Sequence, residues 1–166
     1  MGELFDFPEG SMSIGRLDEK SEGLLLITTD GKLSNLINSS AIQKEYYALV
    51  DGAITEEAIV KLKNGVEIGF NGQKYTTKPC HAKILTPPPI LPVRSKKIRD
   101  DRHGPTTWIA ITLTEGKFRQ VRKMTSAVGF PTLRLVRVRI GDIYLDKMKV
   151  GEVQALSHVS LIQQFL

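Results

Sequence analysis

The chain has 166 residues with ordinary hydrophobic (41%) and charged (25%) fractions, which suit one domain with a sizeable core. Its single cysteine excludes an intrachain disulfide and a cysteine-based zinc site, and three scattered histidines give no reason to expect another metal centre. The net charge of +5 and the pI near 9.4 are compatible with a nucleic-acid partner, while the lack of a membrane-length apolar run or a signal peptide predicts a cytoplasmic location.

The first half of the chain predicts two strands, each followed by a helix. Asp30 follows the first apolar run and suits a helix N-cap, because its carboxylate can accept hydrogen bonds from the first turn. Thr55 suits the same role in the second helix, whose first turn holds Glu56 and Glu57 at the positive end of the helix dipole. The predicted bounds are Leu24–Thr28, about Lys32–Asn38, Tyr46–Val50 and a helix from Thr55 to Gly65.

The second half predicts four further strands and two helices, interrupted by a long loop. This loop runs from Thr86 to Pro105, and its prolines and charges cannot be placed inside a sheet. The predicted elements are strands over Thr76–Leu85, Trp108–Leu113, Leu133–Ile140 and Val153–Leu156, a helix over Gln120–Val128, and a short apolar helix that reaches Leu166. The irregular alternation predicts an α+β fold, with a mainly antiparallel, mixed sheet and flanking helices.

Positive charge is clustered in three stretches of the second half. A surface that concentrates positive charge on one face attracts a phosphate backbone, although a solvated charged surface is the plainer interpretation of any one stretch. The clustered residues are Arg94, Lys96, Lys97, Arg99 and Arg102; Lys117, Arg119, Arg122 and Lys123; and Arg134, Arg137 and Arg139.

The most informative run extends from Gly15 to Gly31 and reads G-R-L-D-E-K-S-E-G-L-L-L-I-T-T-D-G. It places Asp18 between a basic residue and a hydroxyl-bearing turn, just before a strand, where a carboxylate can be held rigidly and still reach a substrate. A lone aspartate in a loop more often caps a turn. The order of residues here, however, closely resembles the nucleophile motif of the RNA pseudouridine synthases.

Three further segments carry the same resemblance, which extends from about Ile14 to Leu156. They are K-E-Y-Y from Lys44, E-G-K-F-R-Q-V-R-K-M from Glu115 and V-G-F-P-T-L-R-L-V-R from Val128. Within the family, the ribosomal RNA branch is the most similar. The resemblance implies a single pseudouridine synthase catalytic domain over residues 1–166, with an active-site cleft. Such a domain isomerises a specific uridine in ribosomal RNA, here 23S, after flipping its base out of the stack.

The resemblance also assigns roles to individual residues. It implies that Asp18 is the catalytic carboxylate, that Arg122 pairs with it and that Tyr46 contacts the extruded base. Tyr47 points to the opposite strand face, and the alternation of a strand predicts that it packs in the core. Asp18 can act as nucleophile at C1′ or as base at C2′, and the sequence leaves both routes open. No cofactor or metal is implied, because the isomerisation gains and loses no atoms or electrons. The implied substrate-binding residues are Arg16, Lys44, Lys117, Arg119, Gln120, Val121, Leu135 and Arg137.

The N-terminus departs from the family pattern. Similar proteins begin with a strand that carries Asn-Lys-Pro, often behind a small S4-type RNA-binding domain, whereas only Met1–Ser13 precede the motif here. We therefore expect a sheet edge that lacks its neighbouring strand, and self-association of the chain through that edge.

Two other functions fit parts of the sequence. A non-catalytic RNA-binding or ribosome-assembly protein could share the fold, because a fold does not carry a function by itself. The joint presence of Asp18, Tyr46 and Arg122 favours the enzyme. A carboxylate-dependent glycosidase needs a second positioned acid, and Glu19, the direct neighbour of Asp18, would point in another direction.

Overall fold

The computed structural model describes residues 5–39, 42–94, 97–99 and 101–157. The strands are β1 (Met12–Ile14), β2 (Glu22–Gly23), β3 (Leu26–Thr28), β4 (Lys44–Asp51), β5 (Glu67–Phe70), β6 (Gln73–Thr76), β7 (His81–Ile84), β8 (Thr106–Leu113), β9 (Thr132–Ile140) and β10 (Ile143–Tyr144). The helices are α1 (Gly31–Ser39), α2 (Glu56–Asn64) and α3 (Gln120–Ala127), with a turn of 3₁₀ helix over Asp101–His103. Within these ranges, no helix is both long enough and apolar enough to cross a membrane.

One mixed sheet organises the fold. Its strand order is β10-β9-β4-β8-β7, and every neighbouring pair along this path is antiparallel. The short strand β2 pairs in parallel with β9 along the edge that β4 does not use. Strands β1 and β3, and strands β5 and β6, form two separate antiparallel pairs. This mainly antiparallel sheet with helices beside it confirms the predicted α+β class.

The main core lies between one face of the sheet and helices α2 and α3. The strands contribute every second residue to it, because successive side chains of a strand point to opposite faces. Its most deeply buried members are Ala48, Val50, Ile59, Leu62, Ile109, Ile111 and Met124. A smaller core joins α1 to β1, β3 and the end of β9 through Leu33, Ile37 and Ile140. The smaller core also contains Ile14 and Leu24, which lie on either side of the segment that carries Asp18.

Both predicted helix caps are confirmed. The Asp30 carboxylate accepts hydrogen bonds from the amides of Lys32 and Leu33 at 2.8 and 3.2 Å. The Thr55 hydroxyl oxygen accepts one from the amide of Ala58 at 3.3 Å. Each cap satisfies amides that the helix itself leaves unpaired, which stabilises a helix by about 1 kcal/mol.

The predicted strand over Thr76–Leu85 is wrong in its centre. Strand β6 ends at Thr76 and β7 begins at His81, because Pro79 between them has no amide to donate to a ladder. The hairpin of β5 and β6 was missed, although the Asn71-Gly72 pair at its turn is typical of hairpins.

The C-terminal prediction also fails in part. Residues 153–156 form no strand, whereas β10 lies earlier, at Ile143–Tyr144, and pairs with the end of β9. Strand β1 was likewise not predicted. The apolar helix that was expected to reach Leu166 lies outside the described residues.

Candidate active site

Asp18 lies in the turn that joins β1 to β2, within the segment 16–24, which we call the Asp18 loop. The amide of Ser21 donates to the carbonyl of Asp18 at 2.8 Å, and this bond closes the turn. The Asp18 side chain is 18% exposed, so it is held by its surroundings and still meets solvent on one side. A carboxylate in this position can meet a substrate without a large rearrangement.

Arg137 of β9 fixes both ends of the Asp18 loop. Its Nε and Nη2 donate to the carbonyl of Leu24 at 2.8 and 2.6 Å, and its Nη1 reaches the carbonyl of Arg16 at 3.5 Å. The Leu24 amide donates back to the carbonyl of Arg137 at 2.9 Å. A guanidinium suits this task because it presents five N–H donors in one rigid plane.

Three further arginines hold the middle of the loop. Arg122 of α3 and Arg94 of the long loop both donate to the carbonyl of Lys20, at 2.9 and 3.1 Å. Arg134 binds the Glu22 carboxylate through two hydrogen bonds of 3.0 Å, and Arg94 Nε lies 3.3 Å from the same carboxylate. Such a bidentate pair fixes orientation as well as distance. We call Arg94, Arg122, Arg134 and Arg137 the arginine clamp.

The loop passes very close to β9 at Gly23. Glu22 and Gly23 pair in parallel with Val136 and Arg137, and Gly23 has a φ of 103°. A Cβ at Gly23 would lie 2.7 Å from the backbone nitrogen and 2.9 Å from the carbonyl carbon of Arg137. Glycine is therefore required here, both for its backbone conformation and for the close approach of two chains.

The guanidinium beside Asp18 belongs to Arg119 and not, as predicted, to Arg122. Within the described ranges, Arg119 is the residue whose cation comes within 4.0 Å of the Asp18 carboxylate. Arg122 instead donates to the carbonyls of Lys20 and Thr132, because its place on α3 points it at the main chain beside Asp18. Burial and the charge of Arg119 lower the pKa of Arg122, whereas the charge of Asp18 acts in the opposite direction. Arg122 thus supports the turn and interacts with Asp18 at longer range.

Tyr46 and Lys44 lie on β4, next to the residue that anchors the loop. Tyr46 stands opposite Arg137 in the β4–β9 ladder. It shares its strand face with Ala48 and packs against the main core, so the prediction that Tyr47 is the core residue of this pair is wrong. The Lys44 ammonium donates to a backbone carbonyl, and burial followed by the charge of Arg137 lowers its pKa.

Glu115 organises the segment that leads into α3. Its carboxylate accepts hydrogen bonds from the Tyr75 hydroxyl, from the amide of Lys78 at 2.9 Å and from the side chain of Gln120 at 2.6 Å. Burial raises the pKa of Glu115, but these hydrogen bonds and the charge of Lys117 outweigh burial and hold the pKa below its usual range. Gln120, a predicted substrate contact, is enclosed in this network and only 4% exposed.

The other predicted binding residues fall into two groups. Arg16 and Arg119 are exposed and belong to, or contact, the Asp18 loop. Val121 and Leu135 are buried in the main core. The Lys117 ammonium lies 5.0 Å from the ring centres of both aromatic residues of the β5–β6 hairpin. The structure therefore places Arg119 beside Asp18 and Arg16 in the same loop as Asp18, whereas Val121, Leu135 and Lys117 make their contacts within the protein.

Much of the predicted basic surface is used inside the protein. Arg139 of β9 pairs with Glu45 at 2.9 Å, and Arg99 of the long loop pairs with Asp51. The four clamp arginines also belong to the clustered stretches. Lys97 of the long loop is exposed. Fewer cations than expected therefore face solvent in the positions where a phosphate backbone could bind.

Sequence reasoning missed Glu22, Arg94 and Arg134 as members of the site. Glu22 stands inside the motif run, but its bidentate partner Arg134 is 112 positions away along the chain. A glutamate inside a motif is weak evidence that it belongs to the site, because most exposed carboxylates have no fixed partner.

Comparisons with known proteins show which family and which fold this chain is similar to. A family model described as RNA pseudouridylate synthase matches residues 7–127. Ribosomal large subunit pseudouridine synthase E of Vibrio parahaemolyticus is 43% identical over 140 residues, which are 83% of this chain and 57% of that protein. The protein of the same name from Xanthomonas axonopodis is 40% identical over 146 residues, which are 87% of this chain and 75% of that protein. A solved crystal structure of a pseudouridylate synthase superposes with a TM-score of 0.77 at 29% identity, over 98% of this chain and 64% of the other.

Proposed function

The chain belongs to the RNA pseudouridylate synthase family, and we propose that it isomerises a specific uridine of large-subunit ribosomal RNA to pseudouridine. The names of the relatives at 40% and 43% identity support this choice of substrate. The observation that carries the proposal is the arginine clamp, because it holds the motif aspartate in a turn that stays open to solvent. With ribosomal RNA as its substrate, the protein would act in the cytoplasm.

The proposed reaction needs one well-placed carboxylate. The C1′–N1 bond of uridine breaks, the base turns, and C5 forms a new bond to C1′. A proton leaves C5 and N1 ends with a proton, so atoms and electrons balance without a cofactor. Asp18 would act on the sugar, either as nucleophile at C1′ or as base at C2′. Because these atoms are covered in a stacked helix, the nucleotide must be flipped out.

Two arginines would orient Asp18 and offset its charge. Arg119 is the direct partner, at 4.0 Å from Oδ2. Arg122 acts through the turn, since its Nη2 donates to the carbonyl of Lys20 and lies 3.5 Å from the Ser21 hydroxyl.

Tyr46 is the proposed contact for the extruded base. It stands opposite Arg137 and is partly buried at the margin of the main core, which leaves part of the side chain for a substrate. The ring offers a face on which uracil can stack, and the hydroxyl is a candidate acceptor for the proton that leaves C5.

Replacing Lys97 with alanine is expected to weaken RNA binding and to reduce its salt dependence. Lys97 is exposed and belongs to the same long loop whose Arg94 binds the Asp18 loop, which makes it a candidate contact for the RNA backbone. The slope of log affinity against log salt should fall by about 1, the value for one lost phosphate contact. Filter binding to a 23S transcript at several potassium chloride concentrations measures this slope. Lys61→Ala, an exposed lysine of α2, is the control, and equal slopes for both variants would contradict the prediction.

The proposed activity is tested with an unmodified 23S transcript that carries tritium at C5 of its uridines. Turnover releases tritium to water because C5 loses its hydrogen when it joins C1′. We expect release from a single position, which chemical mapping of pseudouridine then identifies. Binding without release would favour the second candidate, a non-catalytic RNA-binding protein. The same assay on large-subunit particles shows whether naked RNA or the particle is the better substrate.

Self-association through a sheet edge remains a prediction. Among the described residues, β7 pairs only with β8 and so forms one edge of the main sheet. The exposed Lys83 on this edge opposes pairing with a second chain, because a charged side chain would meet its own copy. Light scattering over a concentration series measures the outcome: a rising mass would support self-association and a constant monomer mass would contradict it.

A further inference from the structure

We propose that the Phe118 ring, together with Arg16 and Lys123, forms a stacking site for an unpaired base next to the reacting uridine. The inference rests on the proposed function, since it takes RNA as the substrate. It adds a second base-binding position to the one at Tyr46. We call the ring and its two cations the Phe118 site.

Phe118 is an exposed aromatic residue next to a helix that packs into the core. It lies in the segment before α3 and half of its surface meets solvent, whereas Val121 and Met124 of α3 are in the main core. Packing of the fold therefore does not explain the position of this ring. An exposed aromatic face is what single-stranded RNA uses, because every unstacked base presents a flat surface that can lie on it.

Two cations lie over the ring. The Arg16 guanidinium lies 5.5 Å from the ring centre and the Lys123 ammonium lies 5.4 Å from it. Lys123 also donates to the carbonyl of Gly69 at 2.7 Å, which fixes its position against the β5–β6 hairpin. Arg16 is exposed. A base that stacks on Phe118 would therefore take the place of a cation over the ring, and the displaced cation would lie near the phosphates of that nucleotide.

The Phe118 site adjoins Asp18 through two chain segments. Arg119, the next residue after Phe118, contacts the Asp18 carboxylate at 4.0 Å, and Arg16 stands two positions before Asp18. A nucleotide flanking the flipped uridine is thus the part of the substrate that would reach the ring. Arg119 also has a φ of 52°, an uncommon conformation for an arginine that turns the chain between the ring and α3.

The plainer alternative is that Arg16 and Lys123 only cover an exposed ring by cation–π contact. Both models predict that the protein stays folded without the ring, because Phe118 contributes little to the core. The two models differ in whether RNA binding depends on an aromatic ring at position 118. A stacking site requires a flat aromatic face at position 118, whereas a ring that is only covered by cations makes no contact with RNA, so leucine would leave the affinity unchanged.

The test compares Phe118→Leu with Phe118→Trp, each in the full chain with Asp18→Asn, which prevents turnover during binding. Tyr144→Leu is the matched control, because Tyr144 is also exposed and also has an arginine, Arg139, over its ring at 5.9 Å. The probe is an RNA oligonucleotide that spans the mapped uridine, with 2-aminopurine on its 5′ or its 3′ side. Binding affinity and quenching of 2-aminopurine fluorescence are measured, and melting temperatures verify folding.

We expect Phe118→Leu to weaken binding by roughly tenfold and to abolish the quenching at one of the two flanking positions, while Phe118→Trp keeps both. Tyr144→Leu should behave like the parent in both measurements. Equal affinity and equal quenching for the leucine and tryptophan variants would overturn the stacking site and leave the proposed function intact. Absence of tritium release from the 23S transcript by the parent chain would overturn the proposed function, and the stacking site with it.

Discussion

Replacing Asp18 with asparagine is expected to abolish pseudouridine formation and to leave RNA affinity nearly unchanged. The amide keeps the shape of the side chain but is neither a nucleophile nor a base, whereas the arginine clamp holds the main chain of the loop and is untouched by the change. The rate of tritium release should fall by about 10⁴-fold or more, the range found when an essential catalytic group is removed. Single-turnover assays with the 23S transcript measure the rate, and filter binding measures the affinity.

Asp30→Asn is the matched control for this experiment. Asp30 belongs to the same motif run, but its carboxylate caps α1, and asparagine caps a helix about as well as aspartate does. The control should therefore keep the parent's rate. Turnover of Asp18→Asn within about tenfold of the parent, a loss of only about 1.4 kcal/mol in barrier terms, would refute the catalytic role of Asp18.

Replacing Gly23 with alanine is expected to disrupt the Asp18 loop and destabilise the protein. The new Cβ would collide with the backbone of Arg137, and the φ of 103° is unfavourable for any residue with a Cβ. Overpacking against an immobile backbone together with the unfavourable φ should cost about 3 kcal/mol or more. The melting temperature should therefore drop, and turnover should drop with it, because β2 can no longer pair with β9 at the register that positions Asp18.

Gly31→Ala provides the comparison for this effect. Gly31 begins α1, and a Cβ there would have no heavy atom within 4 Å. Alanine also restricts the unfolded chain, so this variant should be as stable as the parent or slightly more stable. Thermal unfolding measures the stability of both variants, and tritium release measures their turnover. If Gly23→Ala matches Gly31→Ala in both, the close approach of Gly23 to β9 is not what positions the Asp18 loop.

Local signals in the sequence predicted much of the fold. Helices α1 and α2 were predicted with their caps, since Asp30 and Thr55 satisfy amides only a few residues away. The long strands β4, β8 and β9 were predicted from their apolar runs. The strand predicted over Val153–Leu156 was wrong. A short apolar run forms a strand only where a partner strand is available for backbone hydrogen bonds. Local pattern alone cannot supply that partner.

The candidate site was predicted less completely, and for a related reason. Asp18 was predicted from the motif around it. The supports of Asp18 were not, because Arg94 and Arg134 reach Lys20 and Glu22 from 74 and 112 positions away. Arginines in such stretches look like phosphate-binding residues in a sequence, since an internal carbonyl and a phosphate oxygen attract the same donor. The predicted partnership of Arg122 with Asp18 differs from the structure for the same reason.

The arginine clamp has a consequence for how the substrate preference of such a protein can evolve. Apart from the Glu22 carboxylate and the Ser21 hydroxyl, the clamp binds main-chain oxygens of the loop, at Arg16, Lys20 and Leu24, and every residue type has such an oxygen. Side chains at positions 16 and 20 can therefore be exchanged without removing an acceptor from the scaffold. During evolution, single substitutions in the Asp18 loop can change its contacts with RNA while the position of the reactive carboxylate is preserved.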